Sequence, residues 1–301
     1  MGVVLLVRHG QASFGADDYD VLSETGWEQS RLLGAWLAER KVVPDLILRG
    51  DMRRHRETAE GMLGGGAWDA PVEVDPGWNE FDHLGVVAAF VEVADNVPAS
   101  GAGMQDVDRR EFQRLFELAT ARWTSGEHDA DYPESYAVFV ARVRGALDRA
   151  CDAAGPGGTV VAVSSGGPIA AACAALVDPT GEDPTTLARL WGRFNTVTVN
   201  SSVTRVVVGS TGPRMLTFNE HPHLEGEHLF ASERLVVSPG AGVFLPTAGI
   251  ADGAVIEVGA VLGHVGEREV RSPFAGTLQS YIAVATERVT ARQPIAWLRT
   301  S

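Results

Sequence analysis

Three short runs of branched apolar residues, Val3-Val4-Leu5-Leu6-Val7, Leu46-Ile47-Leu48 and Thr159-Val160-Val161-Ala162-Val163, each end in a small or polar turn and pass into a segment with helical spacing. A strand with no polar residue on either face must be covered on both, so these runs predict a sheet with helices on its two sides. Such sheets keep their chemistry at the carboxyl ends of the strands. The first run delivers Arg8-His9-Gly10 to that end. An imidazole beside a guanidinium that can neutralise a doubly charged group suits histidine attack on a phosphoryl group.

The rest of the first two thirds fills in the layers. After a polar loop at Phe14 to Tyr19, Ser23 reads as the N-cap of a helix through Arg40 with Leu33, Trp36 and Leu37 on one face, stopped by Pro44. Asp45 to Leu48 reads as a strand, followed by a turn at Gly50-Asp51 and a helix from about Met52 that the Gly64-Gly65-Gly66 run ends. Pro71 to Val74 is a short strand leading into Trp78-Asn79-Glu80-Phe81-Asp82-His83, and helical segments fill Val86 to Thr124 with a break at Pro98 to Gly103. Ser135 starts an amphipathic helix to Ala150, carrying Phe139, Val140, Val143 and Leu147 at helical spacing. The strand at Thr159 turns through Ser164-Ser165-Gly166-Gly167-Pro168 into an alanine-rich helix ending near Leu176. Thr196 to Val208 alternates like a strand, and Arg214 to Phe218 like its hairpin partner. Trp27 and Trp36 read as core or helix-face residues. Residues 1–224 therefore predict a three-layer α/β sandwich, with a helical cap over about 86–124.

The remainder has another character. From Glu233 it shows no amphipathic helix, and Ser238-Pro239-Gly240-Ala241-Gly242 recurs 34 residues later as Ser272-Pro273-Phe274-Ala275-Gly276. The copies stay in step through Ile256 to Leu262 against Val289 to Ile295, with one residue of slippage. Two similar β units of this size bury a core only by packing on each other, so residues 233–301 predict a small all-β domain joined by a linker at 225–232.

Composition narrows the function. With 301 residues and 45% hydrophobic content, the chain supports one large domain and a small one. A net charge of -14 disfavours nonspecific nucleic-acid or anionic-membrane binding, so a phosphate site would be a local basic pocket. Two cysteines, Cys151 and Cys173, are too few for a disulfide framework, and neither a long apolar stretch nor a leader pattern occurs. A cytoplasmic protein is the expectation. Lys41 is the sole lysine, which excludes a Walker-type Gly-Lys-Ser/Thr loop and any lysine-borne arm after that position.

Four strand or loop ends supply candidate chemistry. Beside Arg8 and His9, Arg54 lies at a helix start after a strand, where a guanidinium can clamp phosphate oxygens bidentately. Glu80 lies between Trp78 and Phe81, where desolvation would let it keep a proton for a leaving oxygen. Ser165 and Gly166 sit at a helix N-terminus, an anion-binding geometry.

These motifs in this order resemble the histidine phosphatase, or phosphoglycerate mutase-like, superfamily over about residues 3 to 224. The matching segments are Leu6 to Ala12, Leu22-Ser23-Glu24-Thr25-Gly26, Arg54 with Thr58-Ala59, Asn79-Glu80, and Val163 to Gly167. The resemblance implies that His9 forms a phosphohistidine, Arg8 and Arg54 bind phosphate, Glu80 donates the proton, and Gly10, Gln11 and Gly166 contact a small phosphorylated substrate. It implies no metal and no cofactor. Two positions depart from the family pattern: Ser165 stands where a second histidine is usual, and Gly50 where a serine is common. Losing one stabiliser of the transferring group lowers rate by about two to three powers of ten, unless His55 or His83 replaces it in space.

The C-terminal repeat resembles the biotinyl/lipoyl domain, a barrel-sandwich hybrid. The connection that carries the cofactor lysine in that family is here Val265-Gly266-Glu267-Arg268-Glu269, without lysine. A docking or spacer role, with a protein partner, is what the resemblance then implies. Three further readings stand beside phosphate hydrolysis. One is a phospho-ligand binding or regulatory module; another is a mutase-type phosphotransferase. The third is a serine hydrolase built on Ser165, against which Val163 stands where a Gly-x-Ser-x-Gly elbow needs glycine. His221, His223, Glu225, Glu227 and His228 are metal-capable in type, yet read as a closing strand and linker.

Overall fold

The structure is a computed structural model that describes residues 1–13, 20–93, 109–224, 232–291 and 293–300. The polar loop at 14–19, the break at Pro98 to Gly103 and most of the 225–232 linker lie outside the described residues. The chain divides into two compact units, Met1–His223 and Leu224–Ser301.

The first unit runs β1 (Gly2–Arg8), α1 (Glu24–Glu39), β2 (Leu46–Arg49), α2 (Arg53–Gly66), β3 (Val72–Val74), α3 (His83–Val93), α4 (Arg109–Ser125), α5 (Tyr136–Ala154), β4 (Thr159–Ser164), α6 (Gly166–Val177), α7 (Pro184–Val197), β5 (Val203–Gly209) and β6 (Gly212–Glu220). Its strands form one six-stranded sheet in the order β3-β2-β4-β1-β5-β6. β1, β2, β3 and β4 are parallel, and β5 and β6 add an antiparallel edge. Alternation along β1 explains the layering. Val4 and Leu6 pack with Phe139, Val143 and Ile169 on one face, while Leu5 and Val7 pack with Leu33, Leu37 and Met62 on the other. Each of the four β1 side chains is fully buried, which contributes about 1.5–3 kcal/mol apiece.

Local signals set several boundaries as read from sequence. Ser23 caps α1 by accepting the Gly26 amide at 3.1 Å, and Ser135 caps α5 by accepting that of Val138 at 3.3 Å. Other expectations are corrected. The Gly64-Gly65-Gly66 run forms the last turn of α2, which ends at Gly66 as read, but the left-handed cap is Ala67 at φ 51° and not a glycine. A Cβ at Gly65 would overlap the Arg31 carbonyl of α1, so glycine there permits close approach of the two helices. The strand expected from Thr196 begins only at Val203, because α7 runs through Val197 with Leu187 and Trp191 buried, and Ser201 turns the chain with φ 60°. Of the two readings of Trp27, the helix-face one holds, since it lies on α1 and is 39% exposed. Helix α5 continues past Ala150 to Ala154.

In the second unit, β7 (Ser232–Val237), β8 (Gly242–Pro246), β9 (Val255–Ile256), β10 (Val261–Val265), β11 (Arg268–Arg271), β12 (Gly276–Tyr281), β13 (Arg288–Val289) and β14 (Pro294–Thr300) make two four-stranded antiparallel sheets. Their orders are β11-β10-β8-β13 and β7-β14-β12-β9. Exchanging each strand with its counterpart in the other half, β7 with β11, β8 with β12, β9 with β13 and β10 with β14, turns one order into the other. Each sheet therefore takes strands from both halves, and the shared core includes Phe244, Leu262, Leu278, Ile295 and Leu298. The repeated serines do the same local work: Ser238 accepts the Gly240 amide at 3.3 Å and Ser272 that of Phe274 at 3.2 Å.

Candidate active site

The carboxyl ends of β1, β2 and β4 lie side by side, so Arg8 pairs with Ser164 and Arg49 with Val163. The His9 amide donates to the Ser164 carbonyl at 2.9 Å, and the Ser201 amide donates to the Arg8 carbonyl at 3.0 Å. Asn200 adds a bond to the His9 carbonyl at 3.1 Å. The backbone of the Arg-His pair is thus held from both neighbouring strands.

The His9 ring is 6% exposed, with Nδ1 2.7 Å from the Gly10 carbonyl oxygen. A carbonyl only accepts, so Nδ1 carries the proton and Nε2 keeps its lone pair. Burial pushes the His9 pKa well below its ordinary value, and the charges of Arg54 and Arg8 add to this. This favours the neutral ring at pH 7, a form that can act as a nucleophile.

Two guanidiniums flank it. Arg8 donates to the Thr198 carbonyl on the turn after α7. Arg54, 6% exposed in the first turn of α2, donates Nη1 to Asp20 Oδ1 at 2.7 Å and Nη2 to Ser165 Oγ at 3.4 Å. Its buried Nε meets no hydrogen-bond partner among the described residues. Asp20 also accepts the Arg53 amide at 2.7 Å, serving as a remote cap where Met52, at the N-cap, gives no side-chain bond. Thr58 accepts the Gly10 amide at 3.0 Å and donates to the Arg54 carbonyl at 2.8 Å, which ties the loop after β1 to α2.

Glu80 reaches in from the loop before α3. Its Oε2 accepts the Gly167 amide at 3.2 Å and its Oε1 that of Phe81 at 3.2 Å. Burial pushes its pKa up, against the two amides and the fields of Arg54 and Arg8. The dry wall comes from packing: Phe81 stacks on Trp123 at 4.8 Å and meets Trp191 edge-on at 5.8 Å. Trp191 in turn donates to the Gly167 carbonyl at 3.0 Å.

Ser165 occupies the N-cap position of α6 and is fully buried, with Oγ 2.7 Å from Nε2 of His55. His55, also fully buried, lies 5.8 Å from the His9 ring by centroids. Burial, then the charges of Arg54 and Arg49, hold its pKa well below the ordinary value. His83 opens α3, and burial lowers its pKa too, with Arg54 acting in the same direction.

Of the residues singled out from sequence, Arg8, His9, Arg54, Glu80 and Ser165 come together. Gly166 joins them, since a Cβ there would lie 3.7 Å from Arg8 Cζ. Gly10 and Gln11 face α1 instead. A Cβ on Gly10 would overlap the Gly26 carbonyl, and the Gln11 carboxamide oxygen accepts the Ser23 hydroxyl at 3.0 Å. Of the five metal-capable residues, Glu225, Glu227 and His228 lie outside the described residues, and the other two are engaged otherwise: His221 Nδ1 bonds the Asn219 carbonyl at 2.7 Å, and His223 lies against Trp36 and 3.2 Å from Ser201 Oγ. Among the described residues no group of three or more His, Cys, Asp or Glu could hold a metal. Sequence reasoning did not find Asp20, Asn200 or the Thr198 carbonyl, whose roles depend on distant chain segments.

A family model described as the histidine phosphatase superfamily, branch 1, matches residues 4–221, and the chain belongs to that superfamily. No curated protein matches significantly. Among solved structures, a phosphoserine phosphatase variant from Entamoeba histolytica in complex with phosphoserine is similar at 19% identity and TM-score 0.51, covering 74% of this chain and 100% of that one. YhfR of Bacillus stearothermophilus matches at 21% identity and TM-score 0.53, covering 74% of this chain and 99% of the other. A phosphoglycerate mutase from Bacillus anthracis matches at 18% and 0.50, covering 74% and 95%. At these identities the likeness is one of fold. No helix among the described residues is long and apolar enough to cross a membrane.

Proposed function

We propose that this protein hydrolyses small phosphomonoesters through a phosphohistidine at His9. One observation carries the reading: a buried imidazole with its Nε2 lone pair free lies among Arg8, Arg54 and a carboxyl, Glu80, that burial favours in its protonated form. In the first step His9 Nε2 attacks phosphorus, the bond from phosphorus to the ester oxygen breaks, and Glu80 gives that oxygen its proton. Water then attacks the phosphohistidine, Glu80 takes a proton from it, and orthophosphate leaves with His9 restored. Arg8 and Arg54 neutralise the phosphoryl oxygens, with the α6 amides and Ser165 facing the same charge. The family relation and neighbours that handle phosphoserine or phosphoglycerate support this class of substrate. The segment 86–124, of which the parts in α3 and α4 are described, would select among such esters.

The test is a phosphomonoester panel with quench in alkaline SDS, followed by acid treatment of the trapped protein. Native protein is expected to turn over and to carry acid-labile phosphate, both lost in His9→Ala. Equal weak turnover in the two proteins, with ligand binding retained, would favour a binding module. Transfer of phosphate to a second position on the product instead of to water would favour a mutase.

For the second unit we propose a lysine-free relative of the biotinyl/lipoyl fold, supported by the exchanged-strand sheet order and the repeated serine turns. The tight β10–β11 connection at Gly266-Glu267 has no lysine, so it bears no swinging arm, and the reading that remains is a docking or spacer module. An intact mass equal to that of the unmodified chain is expected, and a partner returned by affinity purification of the full chain and lost when Glu267 and Arg268 are changed to alanine would favour docking over a spacer.

A further inference from the structure

His55 is a buried titratable side chain that the proposed reaction does not use. It enters the site from α2, next to Arg54, and its Nε2 lies 2.7 Å from Ser165 Oγ. The opposite edge of the ring faces Gly50 at the end of β2, where an added Cβ would overlap Nδ1. Residues 50, 55 and 165 therefore fit one another: a side chain at 50 removes the space for the ring, and a larger side chain at 165 collides with it.

The tautomer follows from the two edges. Nδ1 is buried and has no hydrogen-bond partner among the described residues. A proton there would be an unsatisfied buried donor, whereas a bare lone pair costs less, so the proton sits on Nε2 and is donated to Ser165 Oγ. Arg54 Nη2 approaches the same oxygen at 3.4 Å. With its oxygen accepting from His55 and Arg54, the Ser165 hydroxyl has its own proton left to donate. It sits at the α6 N-terminus, beside the amides that meet the phosphoryl group.

We infer that His55 is a positioning residue that turns the Ser165 hydroxyl into a directed hydrogen-bond donor for the transferring phosphoryl oxygens. The inference rests on the phosphohydrolase reading above. In this arrangement the hydroxyl is neutral and the imidazole acts through it, so the pair stabilises charge developing on the phosphoryl group without taking a proton from it. A Ser-His contact also invites a serine nucleophile, but the ring edge away from Ser165 packs on Gly50, and among the described residues no carboxylate meets Nδ1 to orient it as a base.

The experiment is a double-mutant cycle on kcat, KM and orthovanadate inhibition with full-length protein, alongside His9→Ala and thermal melts. Ser165→Ala and His55→Ala should each lower kcat about 10- to 100-fold with KM little changed and vanadate affinity reduced in parallel. The double variant should be no slower than Ser165→Ala, because His55 works only through that hydroxyl. His55→Gln, which can place an amide N–H near Nε2, should recover part of the rate even if its melting temperature does not recover. Ser165→His alone should lose activity by collision with His55, and adding His55→Ala to it should restore activity. Additive losses in the double variant, kcat that follows only the melting temperature, or labelling of Ser165 by a fluorophosphonate would each overturn the inference. Native protein with no turnover and no acid-labile phosphate on His9 would overturn the phosphohydrolase reading, a result distinguishable from the others because it needs neither residue.

Discussion

Glu80 accepts the Gly167 amide at 3.2 Å, which joins the loop before α3 to the first turn of α6 and, in the proposed reaction, sets the acid against the helix end that would meet the phosphoryl group. A Cβ at position 167 would overlap Glu80 Oε1, so an alanine there must displace the carboxyl from its bond. Gly167→Ala should therefore act on the acid and not on binding. The expected loss in kcat is about 10²-fold with an alkyl phosphate, whose leaving oxygen needs a proton, and far smaller with p-nitrophenyl phosphate, whose leaving group does not. Glu80→Gln should show the same dependence on leaving group. A uniform loss across both esters would remove Glu80 from the role of acid.

The opposite pKa displacements of His9 and Glu80 define a working window. His9, pushed down, is unprotonated over most of the range above its lowered pKa, and Glu80, pushed up, keeps its proton until its raised pKa is passed. The rate with an alkyl phosphate should thus follow a bell, falling on the acid side as His9 gains a proton and on the alkaline side as Glu80 loses one. Glu80→Gln should lower the plateau and flatten the alkaline limb, leaving the acid limb in place. An alkaline limb unchanged in that variant assigns it to another group.

The aromatic wall makes the raised pKa possible, so Trp191 should influence chemistry it never touches. Trp191→Phe keeps most of the packing against Phe81 and Trp123 but deletes the bond to the Gly167 carbonyl. About 1 kcal/mol of stability should be lost, read by denaturant unfolding, with the alkaline limb moved toward lower pH as water reaches Glu80. Trp191→Ala should cost about 3–5 kcal/mol through the cavity it leaves.

Much of this site was legible in the chain because its pieces are local: a strand run into Arg8-His9, a helix start at Arg54, a small-residue turn at Ser165. Periodicity placed those elements because both faces of the sheet are buried. The helix α7 was missed, since Thr196-Val197-Thr198-Val199 alternates as a strand would while the helical face rests on Leu187 and Trp191 further back. The glycine run does mark the end of α2, but that Gly65 also lets Arg31 of α1 approach had no signal in sequence. His55 was open as a substitute for the histidine absent at 165, and choosing it over His83 needed the distance to Ser165. Asp20 on Arg54 had no signal at all, being separated in sequence and ordinary in type.

Stability itself should report the buried histidines. His223, enclosed by Trp36 and Ser201, has its pKa lowered from 6.5 to about 4 by burial first and by His221 second. The folded state then binds fewer protons than the unfolded chain between those values, so stability declines as pH falls below about 6.5 and the loss is complete near pH 4. His223 alone accounts for about 3 kcal/mol across that interval. His9 and His55 push the same way, while Glu80, displaced upward, opposes them by favouring the protonated folded form at low pH. His223→Gln should therefore be less stable than native protein at pH 7.5, where the Ser201 contact is weakened, and should lose less on going to pH 5. Unfolding curves in urea at the two pH values read this directly, and an equal drop in both proteins would mean that His223 titrates in the folded state as freely as in the unfolded chain.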